Sequence, residues 1–478
     1  MIFLYGALAA LGLFLLLILV RTLRFRPRHT QRSESAPCPL DGEAAVAALA
    51  ALVRCRTVSR YTEEEEDGVE FERLIGLLPT LYPHLTAACP MQRFPGRGLL
   101  FCWRGKSPAP ATVLMAHYDV VPAEEAAWAV PPFEGTVTDG RLFGRGTLDT
   151  KATVNGILFA VNTMIAEGYV PAHDVYIALS GSEEVGGAGA PSIVEYFEKE
   201  GIEVALVLDE GGAIVSGAFP GVRVPTAMVG IAEKGMMDVR YRVEGTGGHA
   251  SAPLRHTSVG LLSRACTRIE GHPLPMRISP PVRRMLDTLG RHSSFFYRMI
   301  FANLFVFAPL LDLFAKKSGG ELNALLRTTV AFTRMKGSDA NNVLPPSAEM
   351  VSNVRIVPGD TVEGTLSRLK KRIGDGRVEL SLLNANEPSR TSCTEGAGWE
   401  ALRETIAEVW PRAVITPYLM VQCSDSRHWG RLSDRVYRFS GMSLTKEERA
   451  TIHGHNESIR TEEAARVAEF YIRLLHRC

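Results

Sequence analysis

The chain runs to 478 residues, too long for one compact core, so two or so globular domains are expected. Its 53 Lys and Arg nearly cancel 52 Asp and Glu, and a formal charge of +1 gives no electrostatic case for nucleic acid or an acidic partner. Eight widely spaced cysteines without a CxxC pair read as reduced, mostly buried thiols, which argues against a disulfide framework or a thiolate zinc site.

Residues 2–20 form an unbroken apolar run of about the length a bilayer-crossing helix needs, and RTLRFRPRH follows at once. The run predicts a transmembrane anchor over 1–22 rather than a cleaved signal peptide, because no basic stretch precedes it and no small-x-small cleavage site closes it. Arg21, Arg24, Arg26 and Arg28 all follow the helix. The positive-inside rule therefore places the bulk of this single-pass chain on the cytoplasmic side, with an extracytoplasmic or lumenal side as the alternative. From 31 to 40 the composition turns polar with two prolines, and a linker is expected over 23–44.

The amphipathic AAVAALAALVRCRTVS opens the globular part, and the acidic run 63–67 reads as a solvated loop or helix start. Short apolar runs then alternate with helical stretches: LLFCW, TVLMAH, a helix over 150–167, DVYIALS, a helix over 192–199 and ALVLDE. That alternation predicts an α/β catalytic domain over 45–234 with a mostly parallel central sheet, whose ligands sit where strands end. Between 235 and 385 the pattern becomes strand MDVRYRVEG, helix HTSVGLLSRACTRI, a long apolar insertion, strands LLRTTVAFTRMKG and AEMVSNVRIV, helix TVEGTLSRLKKRI and strand VELSLL. This β-α-β-β-α-β order predicts an inserted α+β domain, and an insertion that interrupts another domain suggests a lid. Residues 386–478 return to the catalytic domain through GWEALRETIAEVW and the loop QCSDSRHW.

The chemistry-bearing residues follow the apolar runs. They are His117 and Asp119 in MAHYDVVP, Asp149 in GRGTLDTK, Glu183 and Glu184 in SGSEEVGG, Asp209 in VLDEGG and His453 in TIHGHNE. With Asp119 and Glu183 set aside, two imidazoles and three carboxylates remain, a mixed nitrogen and oxygen set that suits two zinc-like ions sharing one carboxylate. Any one acid at a strand end is more often a cap or an ion-pair partner, but the ordered set reverses that weighting. His173, His256 and His428 carry no comparable motif. Cys423 adjoins the QCSDSRHW loop without a matched base and reads as a buried thiol rather than a nucleophile.

HYDVVP, WAVPPFEG, GRGTLDTK, SGSEEVGG, GGHASAP, NNVLPPSAEM and HGHNE together resemble the M20 family of metallopeptidases, in order and spacing, over nearly everything after residue 45. The segment NLFVFAPLLDLFAKK with ELNALLRTTVAFT most resembles the branch of carboxypeptidase S and the fatty N-acyl amino acid synthase/hydrolases. The resemblance implies a zinc-peptidase-like catalytic domain, a lid that serves dimerisation, and two divalent metal ions, zinc first. It gives one ion His117, Asp149 and Asp209, and the other His453, Asp149 and Glu184. It makes Glu183 the general base and acid, and it makes Asp119 the group that orients the metal-bound His117; alternation along an extended segment puts both on one side. His249 would stabilise the developing oxyanion, often from a neighbouring subunit, and so implies a homodimer or an in-chain substitute for one. Asn342 and Arg355 would hold the free carboxylate of a small-molecule substrate, an interdomain ion pair being the other reading for Arg355. His455 is left as a loop residue because the family's ligand is the first residue of HGxNE.

Two positions depart from the family pattern. Thr150 follows Asp149 where many relatives carry a second acid, and Ala152 stands where glycine is common; neither removes a ligand. The expected activity is cleavage of N-acyl amino acids or dipeptides with a free C-terminal carboxylate, with a small-substrate dipeptidase or N-acetyl amino acid deacetylase as the alternative. A metal-dependent binding protein has no need of Glu183, and a phosphoesterase lacks a basic phosphate cradle here. The apolar stretch 294–316 is expected either to pack as a lid or dimer contact or to form a groove for a long acyl chain.

Overall fold

A computed structural model describes residues 1–27, 38–217, 219 and 221–478. Arg28 and most of the polar stretch expected as a linker lie outside the described residues. The helix Ile2–Arg24 has a mean hydropathy of 2.7 over its most apolar window and is long and apolar enough to cross a membrane, about 34 Å at 1.5 Å per residue.

A ten-stranded mixed sheet organises the catalytic part. Its centre is parallel: Ser107–His117 lies between His173–Ser180 and Val204–Asp209, and Val436–Arg438 continues the parallel run beside Val204–Asp209. Antiparallel pairing appears outward, where Gln92–Phe94 and Gly98–Trp103 form a hairpin and the latter pairs with His173–Ser180. The central strands are apolar on both faces because both are covered. Leu114, Ala116, Ile177 and Leu179 pack into one core beneath the helices Gly42–Val53, Lys151–Ala166 and Thr461–Leu475. The alternate residues Val113, Met115, Tyr176 and Ala178 pack against Ile193, Val194 and Phe197 of the helix Gly189–Glu200. Gly156 permits a close helix crossing, since a Cβ there would stand 2.4 Å from Val467 Cγ1.

A second sheet of four antiparallel strands runs in the order Thr329–Lys336, Ser347–Ile356, Gly235–Glu244, Glu379–Asn386. The helices Ser258–Gly271 and Val362–Ile373 pack on it around a separate core that includes Val239, Tyr241, Leu262 and Leu369. The chain enters this sheet at Glu233–Lys234 and leaves it near Ser389, where Glu233 N–H donates to Ser389 Oγ at 2.8 Å.

The long insertion does not pack on that sheet. Its helix Pro280–His292 lies on the strand Val414–Met420, and Val282, Met285, Leu286 and Leu289 join the catalytic core. The next two helices, Phe295–Ala302 and Leu304–Ser318, meet at 111°. Phe305 is 59 % exposed and Phe307 half-buried.

Candidate metal centre and active site

The chemistry-bearing residues stand at or just beyond strand ends of the catalytic sheet, at a helix start, or in the closing loop. His117 and Asp209 are the last residues of Ser107–His117 and Val204–Asp209. Glu183 and Glu184 open the short turn Glu183–Val185 beyond His173–Ser180, and Asp149 precedes the helix Lys151–Ala166. His453 comes from the far end of the chain with φ of 59°, a left-handed backbone that few side chains adopt unless the surrounding loop holds it.

Asp149 links the two histidines. Its Oδ1 is 3.0 Å from His117 Nε2 and its Oδ2 is 3.1 Å from His453 Nε2, which also lies 3.2 Å from Glu184 Oε1. His117, Asp149 and Glu184 each offer an atom within 4.8 Å of the others, a spacing that one metal ion can span. Asp209 stands outside that group, with Oδ1 accepting Glu210 N–H and Oδ2 accepting Ser426 N–H, both at 2.9 Å.

Asp119 is fully buried. Its two carboxylate oxygens accept the N–H groups of Glu183 and Glu184 at 3.1 Å each, and Oδ1 lies 3.4 Å from His117 Nδ1. The same Nδ1 is 3.1 Å from Asp119 O, which orients Nε2 toward Asp149. One aspartate thus positions three neighbouring groups.

The electrostatics favour a cation. Burial pushes the Glu183 carboxyl well above the usual range; the positive His117 opposes this, and Asp425, Glu184 and Asp119 add to it. Glu210 is raised in the same way by burial and by Asp209 and Asp149. Burial lifts Asp425 to about 6 against the pull of Arg427. Burial also opposes protonation of His117, but hydrogen bonds to Asp119 and Asp149 hold its pKa well above the ordinary value, and bonds to Asp149 and Glu184 push His453 to about 10. Protons are retained where carboxylates outnumber cationic side chains, and metal ions compete for such places. The donor set of imidazole and carboxylate fits divalent ions of the zinc kind.

Several supporting residues carried no assignment in the sequence reading. Glu457, the last residue of HGHNE, is fully buried, pairs with Arg145 at 2.7 Å and accepts the N–H of Leu148 at 2.8 Å. Arg145 reaches Gly454 O at 2.9 Å, so this pair ties the loop of Asp149 to the loop of His453. Glu233 pairs with Arg438 at 2.5 Å and accepts from Ser424 N–H at 2.9 Å and Ser426 Oγ–H at 3.0 Å. That network holds the loop whose Ser426 N–H reaches Asp209. Apolar strands gave the positions of the site residues, but a lone acid or arginine inside a loop leaves no periodic trace.

The candidate residues of the second domain are placed differently from one another. Arg355 faces the catalytic loop, donating to Asn353 Oδ1 at 3.0 Å and to Cys423 Sγ at 3.2 Å, and among the described residues it forms no ion pair. His249 lies in the two-stranded ribbon formed by Gly248–His249 and Val343–Leu344, and Asn342 precedes its second strand, its carbonyl accepting Ala250 N–H at 2.9 Å. Both are exposed, and among the described residues neither makes a hydrogen bond or ion pair with the His117–Asp149–Glu184 group. Burial is the first of the causes that raise the Cys423 thiol pKa, and burial with Arg427 and Arg431 lowers His428 to about 4. The eight cysteines are all free.

A mixed α/β sheet with a clustered imidazole and carboxylate site at its strand ends defines a metal-dependent hydrolase. The sequence profile of Peptidase family M20/M25/M40 matches residues 113–477, and the chain belongs to that family, whose hydrolases act on amide bonds. It is 36 % identical over 469 residues to the N-fatty-acyl-amino acid synthase/hydrolase PM20D1 of Xenopus tropicalis, covering 96 % of this chain and 91 % of the relative. It is 31 % identical to the probable carboxypeptidase S-like 2 of Dictyostelium discoideum, covering 97 % and 92 %. In fold it is similar to the M20 family metallo-carboxypeptidase Sso-CP2 of Sulfolobus solfataricus, with a TM-score of 0.68 at 16 % identity over 90 % of this chain and 98 % of that one.

Proposed function

We propose that this chain is a membrane-anchored, di-zinc amidohydrolase that cleaves the amide between a long acyl group and an amino acid bearing a free carboxylate. The observation that carries the reading is Asp149, whose two oxygens each face a different histidine. His117, Asp149 and Asp209 would hold one ion, and His453, Asp149 and Glu184 the other. Two bound divalent ions supply Lewis acidity and an acidified water.

Glu183 takes the proton of the attacking water. The hydroxyl adds to the carbonyl carbon, the C–N bond breaks, and Glu183 returns its proton to the leaving nitrogen. Its place beside Glu184, in the turn beyond His173–Ser180, suits both halves of that task. Asp119 keeps the Glu183–Glu184 turn and the His117 ring in register. The planar fork of Arg355 suits the substrate carboxylate, with Asn342 as a second donor. His249, exposed on the lid, suits an oxyanion donor supplied across a homodimer. The same groups accelerate condensation as well as hydrolysis.

The long acyl group is favoured by the synthase/hydrolase relative and by an apolar N-terminal helix that would keep the site near lipid-like substrates. The helix would place the catalytic part on the cytoplasmic side by the positive-inside rule. A small-substrate dipeptidase or N-acetyl amino acid deacetylase is the alternative. The test is hydrolysis by the zinc-loaded full chain of N-acyl amino acids from acetyl to long-chain, beside dipeptides. At about 0.8 kcal/mol per buried methylene, kcat/KM should rise roughly fourfold for each added carbon before levelling off. Highest activity on acetyl compounds or dipeptides would establish the alternative.

A further inference from the structure

The N-terminal helix and the helical insertion meet in a polar knot. Asn303 is fully buried at the bend between Phe295–Ala302 and Leu304–Ser318. Its Oδ1 accepts the Arg21 Nε–H at 3.2 Å, and its amide nitrogen lies 3.3 Å from Ile18 O and 3.2 Å from Thr22 Oγ1. Arg21 also donates to Ala302 O at 3.0 Å, and its guanidinium lies over the Phe305 ring. One turn further, Arg291 stacks on Phe25 and donates to Arg26 O at 3.2 Å. These contacts fix the insertion against the C-terminal end of the apolar helix, where Arg21 and Arg24 mark the level of lipid headgroups.

Beyond that bend the insertion turns an apolar face outward. In Leu304–Ser318 the buried residues are Leu311 and Ala315, whereas Phe305, Leu310, Leu313 and Phe314 are between 52 % and 63 % exposed. Leu310, Leu313 and Phe314 lie within about 100° of one another on the side away from Leu311 and Ala315, Phe305 stands beside Arg21, and Lys317 adds positive charge at the helix end. Phe295 and Phe296 extend the bare patch. A soluble surface rarely leaves so much contiguous apolar area open, and the nearest covering medium is the one that must surround the adjoining span.

We infer that Phe295–Ser318 is a second membrane contact. The helix Leu304–Ser318 lies in the boundary between headgroups and acyl chains of the leaflet where the span ends, and it holds the catalytic domain against the bilayer instead of leaving it on a loose tether. The inference rests on Ile2–Arg24 being a span, so the test separates the two.

The full chain is reconstituted into vesicles of phosphatidylcholine and phosphatidylserine with a photo-crosslinking amino acid at Leu313 or Phe314, at Leu13 in the span, or at Val137, an exposed apolar position on the catalytic domain. Mass spectrometry then reads phospholipid adducts. Adducts at Leu313 and Phe314 comparable to those at Leu13 and several-fold above Val137 are expected. Adducts at Leu13 with only the Val137 level at the insertion overturn the second contact while leaving the span intact. Crosslinks from Leu313 or Phe314 to another copy of the chain overturn it in favour of a dimer surface. Absence of adducts at Leu13 removes the span and the inference with it. Zinc content of each variant verifies that the catalytic domain is folded.

Discussion

Glu457 accepts the backbone N–H of Asp149 at 3.3 Å, joining the closing motif of the chain to the residue that stands between the two site histidines. The same carboxylate neutralises Arg145, and both side chains are buried. Glu457→Ala leaves that guanidinium uncompensated and should cost about 3–5 kcal/mol of stability, read by denaturant unfolding. It also frees the Asp149 backbone, so zinc affinity should fall roughly tenfold to a hundredfold. Unchanged zinc affinity in a folded variant would confine Glu457 to a structural role.

Glu183 and Asp149 should separate chemistry from metal binding. Glu183→Gln keeps the side-chain size and spares the proposed ligands, so zinc should remain bound while turnover drops by about 10²- to 10⁴-fold. Asp149→Ala removes the carboxylate that faces both histidines and should lose zinc together with rate. Metal analysis beside kinetics distinguishes the pair, and a Glu183→Gln enzyme near full activity would remove Glu183 from the mechanism.

Lys234, at the crossing into the four-stranded sheet, should make stability depend on pH. Its buried ammonium donates to Ala324 O and Arg327 O at 2.9 Å each, and burial with the nearby Arg355 lowers its pKa from 10.5 to about 7. Below pH 7 both folded and unfolded chains carry the proton and the cost of burying the charge is complete. As pH rises from about 7 toward 10.5 the folded chain loses the proton first, the unfolded chain binds more, and stability rises. Lys151, lowered by burial to about 8, acts in the same direction. The informative quantity is therefore the difference in unfolding free energy between the wild type and Lys234→Met. Relative to the variant, the wild type should gain stability across that window, and a constant difference would show that Lys234 is not titrating there.

How much of this was legible depended on periodicity. Apolar runs ending at His117, Ser180 and Asp209 located the strand ends, and motif order supplied the acids beyond them. Strand direction was not written in those runs: Gln92–Phe94 and Gly98–Trp103 turn back within a few residues and must be antiparallel, whereas an apolar run alone reads the same either way. The apolar character of the insertion was plain, but amphipathic spacing says that a helix buries one face without naming the surface that receives it. Val282, Met285 and Leu289 chose the catalytic sheet. Asp425 and Glu210 escaped notice because their significance lies in burial beside Asp209, which arises only when the loop carrying Ser426 folds under the strand ends.

Arg355 and Cys423, 3.2 Å apart where the four-stranded sheet meets the loop after Val414–Met420, should respond in opposite ways to conservative change. The guanidinium has a planar fork that can meet both oxygens of a substrate carboxylate, and a lysine at this position offers only a point charge. Arg355→Lys should lower kcat/KM for free-carboxylate substrates by roughly tenfold to a hundredfold, the range of a lost charged hydrogen bond. It should have little effect on the already slow cleavage of the same substrates amidated at the C-terminus. Cys423, with its pKa raised first by burial, carries no thiolate to attack with, so Cys423→Ser should retain activity within a few-fold. Equal cleavage of free and amidated substrates by the wild type would sink the clamp, and abolition of turnover in Cys423→Ser with zinc still bound would move the nucleophile from water to the thiol.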